Sequence, residues 1–194
     1  MAVPTKREAQ AMQRRNQLLD VARRLFAEKG MERASIKDIA EVAGVAQGLI
    51  YHYFRSKDEL FWAIIERDGP LPLVGTIFSG SETLPARDYL VPAMTRAHAA
   101  MSERRDLLRL VIHEALGRTE LQERIRGLQH LMIGLIASYL DRRVAAGELR
   151  PHDTRMTALM LAGSVFALLF VGLPAEPYIA ETVETVLRGL SASG

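Results

Sequence analysis

Apolar residues recur every three or four positions along most of the chain, whereas the strict alternation typical of strands is nowhere convincing. The clearest stripe lies in the first predicted helix, which Gly30 ends. Its apolar face consists of Leu18, Val21, Ala22, Leu25 and Phe26. Patterns of this kind predict an all-α protein of about nine helices. The predicted helices span residues 12–29, 36–43, 46–54, 56–68, 86–101, 103–116, 119–147, 153–171 and 177–190.

Two stretches interrupt the helical pattern. Residues 69–85 contain three prolines and three glycines. This composition predicts a loop that separates an N-terminal domain, residues 1–67, from a second domain, residues 68–194. Residues 5–15 are polar and basic, which indicates a mobile arm ahead of the first helix. Two interpretations of this arm remain open: it adds contacts to DNA, or it is disordered.

The segment from Ser35 to Lys57 has the spacing of a DNA-binding helix-turn-helix, followed by the cap of another helix. Ser35 can cap the first of these helices, and Asp38 three residues later completes a capping box. Gly44 falls where the chain must turn sharply, because glycine adopts a left-handed conformation without steric cost. The major groove of DNA admits a helix such as the next one, about Ala46 to Phe54.

From Leu18 to Leu60, about a third of the chain, the sequence resembles the tetracycline-repressor (TetR) family of bacterial transcriptional regulators. The shared features are Leu25-Phe26 before Gly30, the Ile39-Ala40 pair, Ala43-Gly44-Val45, Tyr51 with Tyr53-Phe54, and Ser56-Lys57 before Leu60. The resemblance implies a three-helix DNA-binding unit, followed by a helical body that binds a ligand and forms a homodimer. It also implies that these residues face DNA: Ser35, Lys37, Gln47, Gly48, Leu49, Tyr51, His52, Tyr53 and Lys57.

The side chains at these positions suit contacts with a double-stranded DNA operator. Gln47 can pair with adenine through two hydrogen bonds, and Leu49 can contact a thymine methyl group. The Tyr51 hydroxyl and the Lys57 ammonium group suit phosphates. For Tyr53, packing beneath the helix is an alternative of equal weight.

Positive charge is concentrated at the N-terminal end. The formal net charge is only +2, yet Met1 to Lys57 holds 11 of the 25 basic residues and 6 of the 23 acidic residues. That segment therefore carries an excess of positive charge, and the remainder of the chain is slightly acidic. A basic end on a near-neutral body suits contact with phosphates by that end, although a solvated surface would show the same composition.

The stretch 156–175 carries no charged side chain and is long enough to span a membrane. A buried core helix is the favoured interpretation, because Thr157, Gly163 and Ser164 interrupt the stretch and no basic cluster flanks it. A monomer could cover only part of this helix, whereas a bundle of the last two helices from two subunits would cover the rest. The residues expected in this homodimer interface are Met160, Gly163, Ala167, Val183, Val186 and Leu187.

A second candidate site lies in the body, on apolar stripes that carry methionines and two polar residues. The candidate ligand-binding residues are Met94, His98, Met101, Met132, Ile136 and Tyr139. If the stripes face one another, they enclose a cavity for a small, largely apolar effector, with His98 and Tyr139 as its polar contacts. A closed core is the alternative. The spacing of the histidines gives no metal signature, so no metal site is expected.

The sequence contains no catalytic motif. It lacks a nucleophile elbow, a phosphate loop, an HExxH motif and a dinucleotide fingerprint, so neither an enzyme nor a cofactor is expected. It also lacks cysteines, which excludes disulfides and thiolate metal sites.

The expected function is that of a ligand-responsive transcriptional regulator, with repression as the favoured mode. It would bind a pseudo-palindromic operator as a homodimer and release it when the effector enters the body. A DNA-anchored interaction protein controlled by a protein partner is the alternative. A cytoplasmic location without membrane attachment is expected, because the first 15 residues lack the apolar core of a secretory signal.

Overall fold

The computed structural model describes residues 5–78 and 84–191. Within these residues the chain forms ten α-helices, and Leu149 and Ser191 form an isolated antiparallel bridge. The helices are α1 (Lys6–Arg33), α2 (Ile36–Ala43), α3 (Gln47–Tyr53), α4 (Lys57–Asp68), α5 (Leu71–Phe78), α6 (Ala86–Ser102), α7 (Arg105–Ala115), α8 (Thr119–Ala145), α9 (Thr154–Val171) and α10 (Ala175–Leu190). The predicted all-α class is confirmed, with one helix more than the sequence pattern indicates.

The helices divide between two compact units, and neither unit is continuous in sequence. The N-terminal unit combines Met1–Gly69 with Asp106–Gly117, and the C-terminal unit combines Pro70–Arg105 with Arg118–Gly194. The sequence pattern predicts one boundary, between residues 67 and 68. The structure differs because nearly all of α7 belongs to the N-terminal unit, although α6 and α8 on either side of it belong to the C-terminal unit.

A glycine explains both the break in α1 and its contact with α7. Gly30 has φ 77° and ψ 158°, a conformation that residues with a side chain rarely adopt. Because helical geometry is interrupted there, the Met31 N–H donates instead to a carboxylate oxygen of Glu114, at 3.1 Å. Glu114 is only 6% exposed. Helix α7 thus supplies the acceptor that α1 no longer provides.

The start of α1 corrects the predicted mobile arm at residues 5–15. The Thr5 hydroxyl accepts a hydrogen bond from the Glu8 N–H at 3.3 Å, and the Glu8 carboxylate accepts one from the Thr5 N–H at 2.7 Å. This capping box starts the helix at Lys6. Residues 5–14 are exposed, as a polar composition predicts, but exposure does not prevent helix formation by residues such as alanine, glutamine and arginine.

The N-terminal unit has a small core between α1 and α4. Phe26 and Phe61 are buried and meet edge to face, with ring centroids 5.7 Å apart. Arg67 of α4 donates to the Asp20 carboxylate of α1 at 2.6 Å and to the Asn16 carbonyl at 3.0 Å. These contacts fix α4 on α1, and α2 packs against both α1 and α3.

Helix α5 lies inside the stretch 69–85, so the prediction of a loop is wrong for residues 71–78. Pro72 falls in the first turn, where a missing N–H removes no helical hydrogen bond. Val74, Ile77 and Phe78 are buried. Burial of this apolar stripe outweighs the low helix propensity of Gly75.

A pair of stacked tyrosines organises the C-terminal unit, in which α5 and α9 each pack against both α6 and α8. Tyr89 of α6 and Tyr139 of α8 have ring centroids 4.2 Å apart. Their hydroxyls donate to the carbonyls of Ile77 and Leu84 respectively, each at 3.0 Å. Burial raises the pKa of Tyr139 to about 12. The hydroxyl therefore keeps its proton at neutral pH and remains a donor.

Helix α9 is buried along one side only within a single chain, as expected for a helix that a monomer covers in part. The buried side consists of Thr157, Ala158, Leu161, Val165 and Leu169. The large apolar side chains exposed on this helix are Met156, Leu159, Met160, Phe166, Phe170 and Val171. Among the described residues this helix alone is long and apolar enough to cross a membrane by length and composition, with a mean hydropathy of 1.7. One face of it therefore remains uncovered within a single chain.

Candidate nucleic-acid interface

Gly44 ends α2 and sets the direction of α3. It has φ 65° and ψ 37°, the left-handed conformation that glycine adopts without steric cost. The Gly44 N–H donates to the Glu41 carbonyl at 3.2 Å, and the Val45 N–H donates to the Ala40 carbonyl at 3.0 Å. These bonds satisfy the last carbonyls of α2. The predicted sharp turn is confirmed at this position.

Helix α3 is held by one buried residue and presents polar residues to solvent. Ile50 is fully buried, whereas Gln47, Gly48, Tyr51 and His52 are exposed. Gln47 and Tyr51 share one helical face, and Gly48 and His52 share the adjacent face. The outward side of α3 therefore carries an amide, a phenol and an imidazole on a short helix.

Two further predicted residues of α3, Leu49 and Tyr53, are half-buried. The Tyr53 ring lies edge to face with His52, at a centroid distance of 5.2 Å, and 6.4 Å from the Phe54 ring. Tyr53 thus contacts the rings of its two sequence neighbours, while part of its surface stays accessible.

The start of α2 carries two predicted residues in different situations. The Ser35 hydroxyl donates to the Asp38 carboxylate at 2.7 Å and accepts from the Asp38 N–H at 3.1 Å. The hydrogen bonds that the Ser35 hydroxyl and the Ser35 N–H donate to its carboxylate hold the pKa of Asp38 below its usual value. Ser35 is therefore engaged as a helix cap, whereas Lys37, the second residue of α2, is exposed.

Lys57 has a structural role that the sequence does not reveal. Its ammonium Nζ donates to the carbonyls of Glu32 and Ala34, at 3.4 and 3.2 Å. Both carbonyls lie at the end of α1, so Lys57 caps that helix. A lysine ammonium has three N–H donors. One of them remains for a phosphate.

The predicted ligand-binding residues all lie in the C-terminal unit. Met94, Ile136 and Tyr139 belong to its buried core, and Met101 and Met132 pack partly buried against that core. The Tyr139 hydroxyl donates to the Leu84 carbonyl, so its proton is already engaged within the unit.

His98 is the remaining member of this set. Within the described part of the chain, its buried Nε2 atom has no hydrogen-bond partner, and the same holds for Ser102 Oγ one turn later on α6. Burial, and to a lesser extent the neighbouring Arg105, lower the pKa of His98. The imidazole is therefore neutral at pH 7 and retains an unused polar atom.

The predicted dimer residues divide into two groups. Met160, Gly163 and Ala167 are exposed on α9, and Val186 of α10 is half-buried. Val183 and Leu187, in contrast, are buried in the core of their own unit. Both residues are therefore covered within a single chain, and their assignment to a dimer interface stays a prediction. Periodicity identifies an apolar face of α10, but it does not show that α6 and α9 of the same chain cover that face.

Two grooves lie on the surface of the C-terminal unit. The larger, about 560 Å³, lies between α6 and α10 and includes Arg87 and Glu184, whose side chains form an ion pair at 2.9 Å. The smaller, about 350 Å³, includes Ile77 and Tyr89. None of the six predicted ligand-binding residues lines either groove.

Sequence patterns do not identify the contacts that join distant parts of the N-terminal unit. Glu114 contacts a residue 83 positions away, and Arg67 contacts Asp20, 47 positions away. Neither residue stands in a local motif, because each partner is brought near only by folding. The aromatic residue that ends α3, Phe54, likewise contacts the Arg15 guanidinium, 5.1 Å from its ring centroid.

Comparison with known families gives matches in both units. The family described as "Bacterial regulatory proteins, tetR family" matches residues 18–64. The family described as "AefR-like transcriptional repressor, C-terminal domain" matches residues 93–190. The first match contains the helix-turn-helix, and the second begins within α6 and runs to the end of α10.

Individual proteins show the same similarity over most of their length. The chain is 32% identical over 179 residues to the HTH-type transcriptional regulator AcrR of Shigella flexneri, across 87% of this chain and 81% of that protein. The structure of Salmonella enterica GusR superposes with a TM-score of 0.76 and 27% identity, across 93% of this chain and 96% of that one.

A third similarity concerns the fold alone. The complex of SmeT with triclosan superposes with a TM-score of 0.75 and 20% identity, across 93% of each chain. SmeT is the repressor of the Stenotrophomonas maltophilia multidrug efflux pump SmeDEF. The shared fold includes both the helix-turn-helix and the helical C-terminal unit.

Proposed function

The chain belongs to the tetR family of bacterial transcriptional regulators, and on that premise we propose a homodimeric repressor that binds a pseudo-palindromic operator through α3. A small, largely apolar effector that enters the C-terminal unit releases the operator. The observation that carries this proposal is the exposure of Gln47, Tyr51 and His52 on a helix that Gly44 and Ile50 hold in place.

In the proposed complex, α3 lies in the major groove and divides its contacts between bases and backbone. Gln47 and Leu49 contact base edges, and Gly48 lets the helix approach closely. Phosphates are contacted by Lys37, Tyr51 and the remaining donor of Lys57. His52, Tyr53 and Ser35 lie beside these residues and complete the proposed contact surface.

A second copy of the chain is the proposed occupant of the apolar face of α9. Exposed apolar residues there include Met160, Phe166 and Phe170, and the two phenylalanine rings are 5.3 Å apart. A patch of this kind on a soluble protein marks an interaction surface. A two-fold dimer would also match the two halves of a pseudo-palindromic operator.

The proposed dimer can be tested at Gly163, because a Cβ atom there meets no other atom within 4 Å. Gly163→Glu should therefore leave the single chain folded but place a charge in the interface. Gly127→Glu on α8 is the matched control, since Gly127 is also exposed with open space around its Cβ position. Sedimentation should show monomers for the first variant and dimers for the second; dimers of both would place the interface elsewhere.

The proposed effector site lies around Met94, His98 and Met132, with Met101 and Ile136 beside them. Support comes from the unpartnered His98 Nε2 atom, since an effector with one polar group would satisfy it. Triclosan bound to SmeT illustrates such a molecule on the same fold. A ligand of the folded state raises the melting temperature by mass action, so a thermal-shift screen of apolar compounds should find it.

The operator can be identified by selection from a randomised DNA duplex library. We expect enrichment of a pseudo-palindrome whose affinity falls steeply with salt. Gln47→Ala should reduce the preference for one base pair by about 1–3 kcal/mol, whereas Lys37→Ala should weaken binding to all DNA sequences alike. A library without an enriched sequence would contradict the proposed function.

A further inference from the structure

Helix α1 begins well before the core of the N-terminal unit. Its first buried side chain is Leu18, and residues 5–14 are exposed. Residues 6–17 therefore form a helical segment that extends beyond the core, roughly 18 Å long at 1.5 Å per residue. We call this segment the basic extension. Its charged side chains are Lys6, Arg7, Glu8, Arg14 and Arg15.

The positive charges of the basic extension are not neutralised by the protein. None of its four basic side chains forms an ion pair with a carboxylate in residues 5–78 or 84–191. Its one carboxylate, Glu8, is engaged with Thr5 in the helix cap. Elsewhere in the chain, Arg67, Arg87 and Arg188 each pair with an acidic side chain.

The arginines continue the buried face of α1. Arg14 precedes Leu18 by four residues, and Arg7 precedes Arg14 by seven, so these three residues fall on one helical face. In the same way, Arg15 precedes the buried Leu19 by four residues. The face that packs against the core is therefore apolar, and it becomes basic where the core ends.

Arg15 joins this basic face to the end of α3. Its guanidinium lies over the Phe54 ring, 5.1 Å from the centroid, and Phe54 is the residue that ends α3. Such a cation–aromatic contact restrains the direction of both groups. The basic face of the extension therefore reaches the end of α3.

We propose that the basic extension lies along the phosphate backbone of duplex DNA that flanks the base pairs contacted by α3. This inference rests on the proposed function, because it requires an operator bound by the N-terminal unit. Arg7 and Arg14 are about 10 Å apart along the helix axis, a length over which one DNA strand presents about three phosphates. Contacts of this kind add affinity and fix orientation, but they carry no base preference.

The experiment compares two duplexes that contain the operator selected by the full wild-type chain. One ends at the outer edges of the selected sequence, and the other has one more helical turn, about 10 base pairs, on each side. Fluorescence anisotropy gives Kd for each duplex between about 50 and 200 mM salt. For the wild type, the salt slope should be steeper on the longer duplex by about 1.8 per bound protomer, since each phosphate contact adds about 0.9.

The full-length double variant Arg7→Gln with Arg14→Gln should lose this extra slope on the longer duplex and behave as wild type on the shorter one. Arg109→Gln with Arg126→Gln is the matched control, because both arginines are exposed on helices. The control should keep the extra slope. The double variant Arg7→Lys with Arg14→Lys should also keep the extra slope, because the positive charge is retained.

Three outcomes would overturn the inference. The first is that the wild type shows the same salt slope on both duplexes. The second is that the Arg7→Gln, Arg14→Gln variant loses the same amount of salt slope on both duplexes, which would place the contacts inside the selected sequence. The third is that the double variant loses binding to phosphatidylserine vesicles but keeps the wild-type salt slopes on both DNA duplexes. Failure of the proposed function would look different, since no operator would then be selected.

Discussion

Helix starts differ between the two units. In the N-terminal unit, α1, α2 and α4 each begin at a hydroxyl side chain that accepts a backbone N–H: Thr5, Ser35 and Ser56. In the C-terminal unit, α9 begins at Asp153 with a side-chain cap, whereas α6, α8 and α10 begin at Pro85, Arg118 and Pro174 without one. In the N-terminal unit, α3 begins at Ala46 and also lacks one. Each cap satisfies a backbone N–H that the first turn of a helix leaves without an intrahelical partner.

The uncovered surfaces differ as well. Exposed residues of α3 in the N-terminal unit are polar, and the basic extension adds unpaired arginines. The uncovered face of α9 in the C-terminal unit is apolar, with Met160 and Phe170 at least half exposed. The complementary partner of the first surface is an anionic polymer, and that of the second is another apolar face.

The largest expected effect comes from removing core volume in the N-terminal unit. Phe26→Ala should lower the free energy of unfolding of that unit by about 3–5 kcal/mol, because Phe26 is fully buried against Phe61. The single tryptophan, Trp62 of α4, reports on this unit alone. Urea titration followed by Trp62 fluorescence should show the loss. As a control, Leu161→Ala removes core volume from the C-terminal unit. If this control lowered the free energy of unfolding measured by Trp62 fluorescence more than Phe26→Ala does, the two cores would not be separate.

The two exposed glycines at the turn and on α3 should respond in opposite directions. Gly44→Ala should destabilise the N-terminal unit by about 1–2 kcal/mol, because φ is 65° there. Gly48→Ala should stabilise it by up to about 1 kcal/mol, because alanine is the better helix former. A Cβ atom meets nothing within 4 Å at either position, so backbone conformation alone separates the two variants. Equal melting temperatures would show that the turn does not depend on a left-handed residue.

Two serines, one in each unit, should differ in how much their hydroxyl groups contribute to stability. Ser35→Ala should cost about 1 kcal/mol in the Trp62 transition, because it removes the cap of α2. Ser102→Ala should be neutral or slightly stabilising, because Ser102 Oγ is buried without a hydrogen-bond partner among the described residues. The stability of Ser102→Ala can be measured by thermal unfolding, with circular dichroism as the signal. A loss of stability equal to that of Ser35→Ala would indicate a partner for the Ser102 hydroxyl.

The smallest expected effect is a difference in pH dependence. The folded C-terminal unit lowers the pKa of His98, so the unfolded chain binds this proton more readily than the folded chain. Stability of that unit should therefore fall as pH decreases below about 6.5, the usual histidine value. His98→Gln should remove this fall. The lowered pKa of Asp38 acts in the N-terminal unit only at more acidic pH, below its ordinary value of 3.8, so the Trp62 transition should be unchanged between pH 6.5 and 5.

Features with local causes could be predicted from the sequence. The cap at Ser35, the turn at Gly44 and the break at Gly30 each depend on one residue type in one backbone conformation, and the structure has all three. The predicted end of α1 at Gly30 is early, because the helix resumes and ends at Arg33. The same local criteria fail at α5, since they count Pro72 and Gly75 as signs of a loop. There, burial of three neighbouring apolar side chains decides the conformation.

Features that depend on distant partners could not be predicted. Lys57 is a phosphate ligand by resemblance, but its contacts with the Glu32 and Ala34 carbonyls follow only from the way α4 meets the end of α1. Val183 and Leu187 form an apolar stripe by periodicity, and periodicity alone does not show which helix covers a stripe. Pairing across the fold, rather than propensity, determines these contacts.

The hydrogen bond from the Met31 N–H to Glu114 has a consequence for protein synthesis. Residues 1–69 leave the ribosome first, yet their unit also requires residues 106–117. At translation rates of about 5–20 residues per second, the nascent chain carries α1 to α4 for roughly 2–10 s before α7 emerges. A chain released at residue 69 would lack that acceptor, so the order of synthesis leaves the Met31 N–H without the Glu114 carboxylate until α7 has been made.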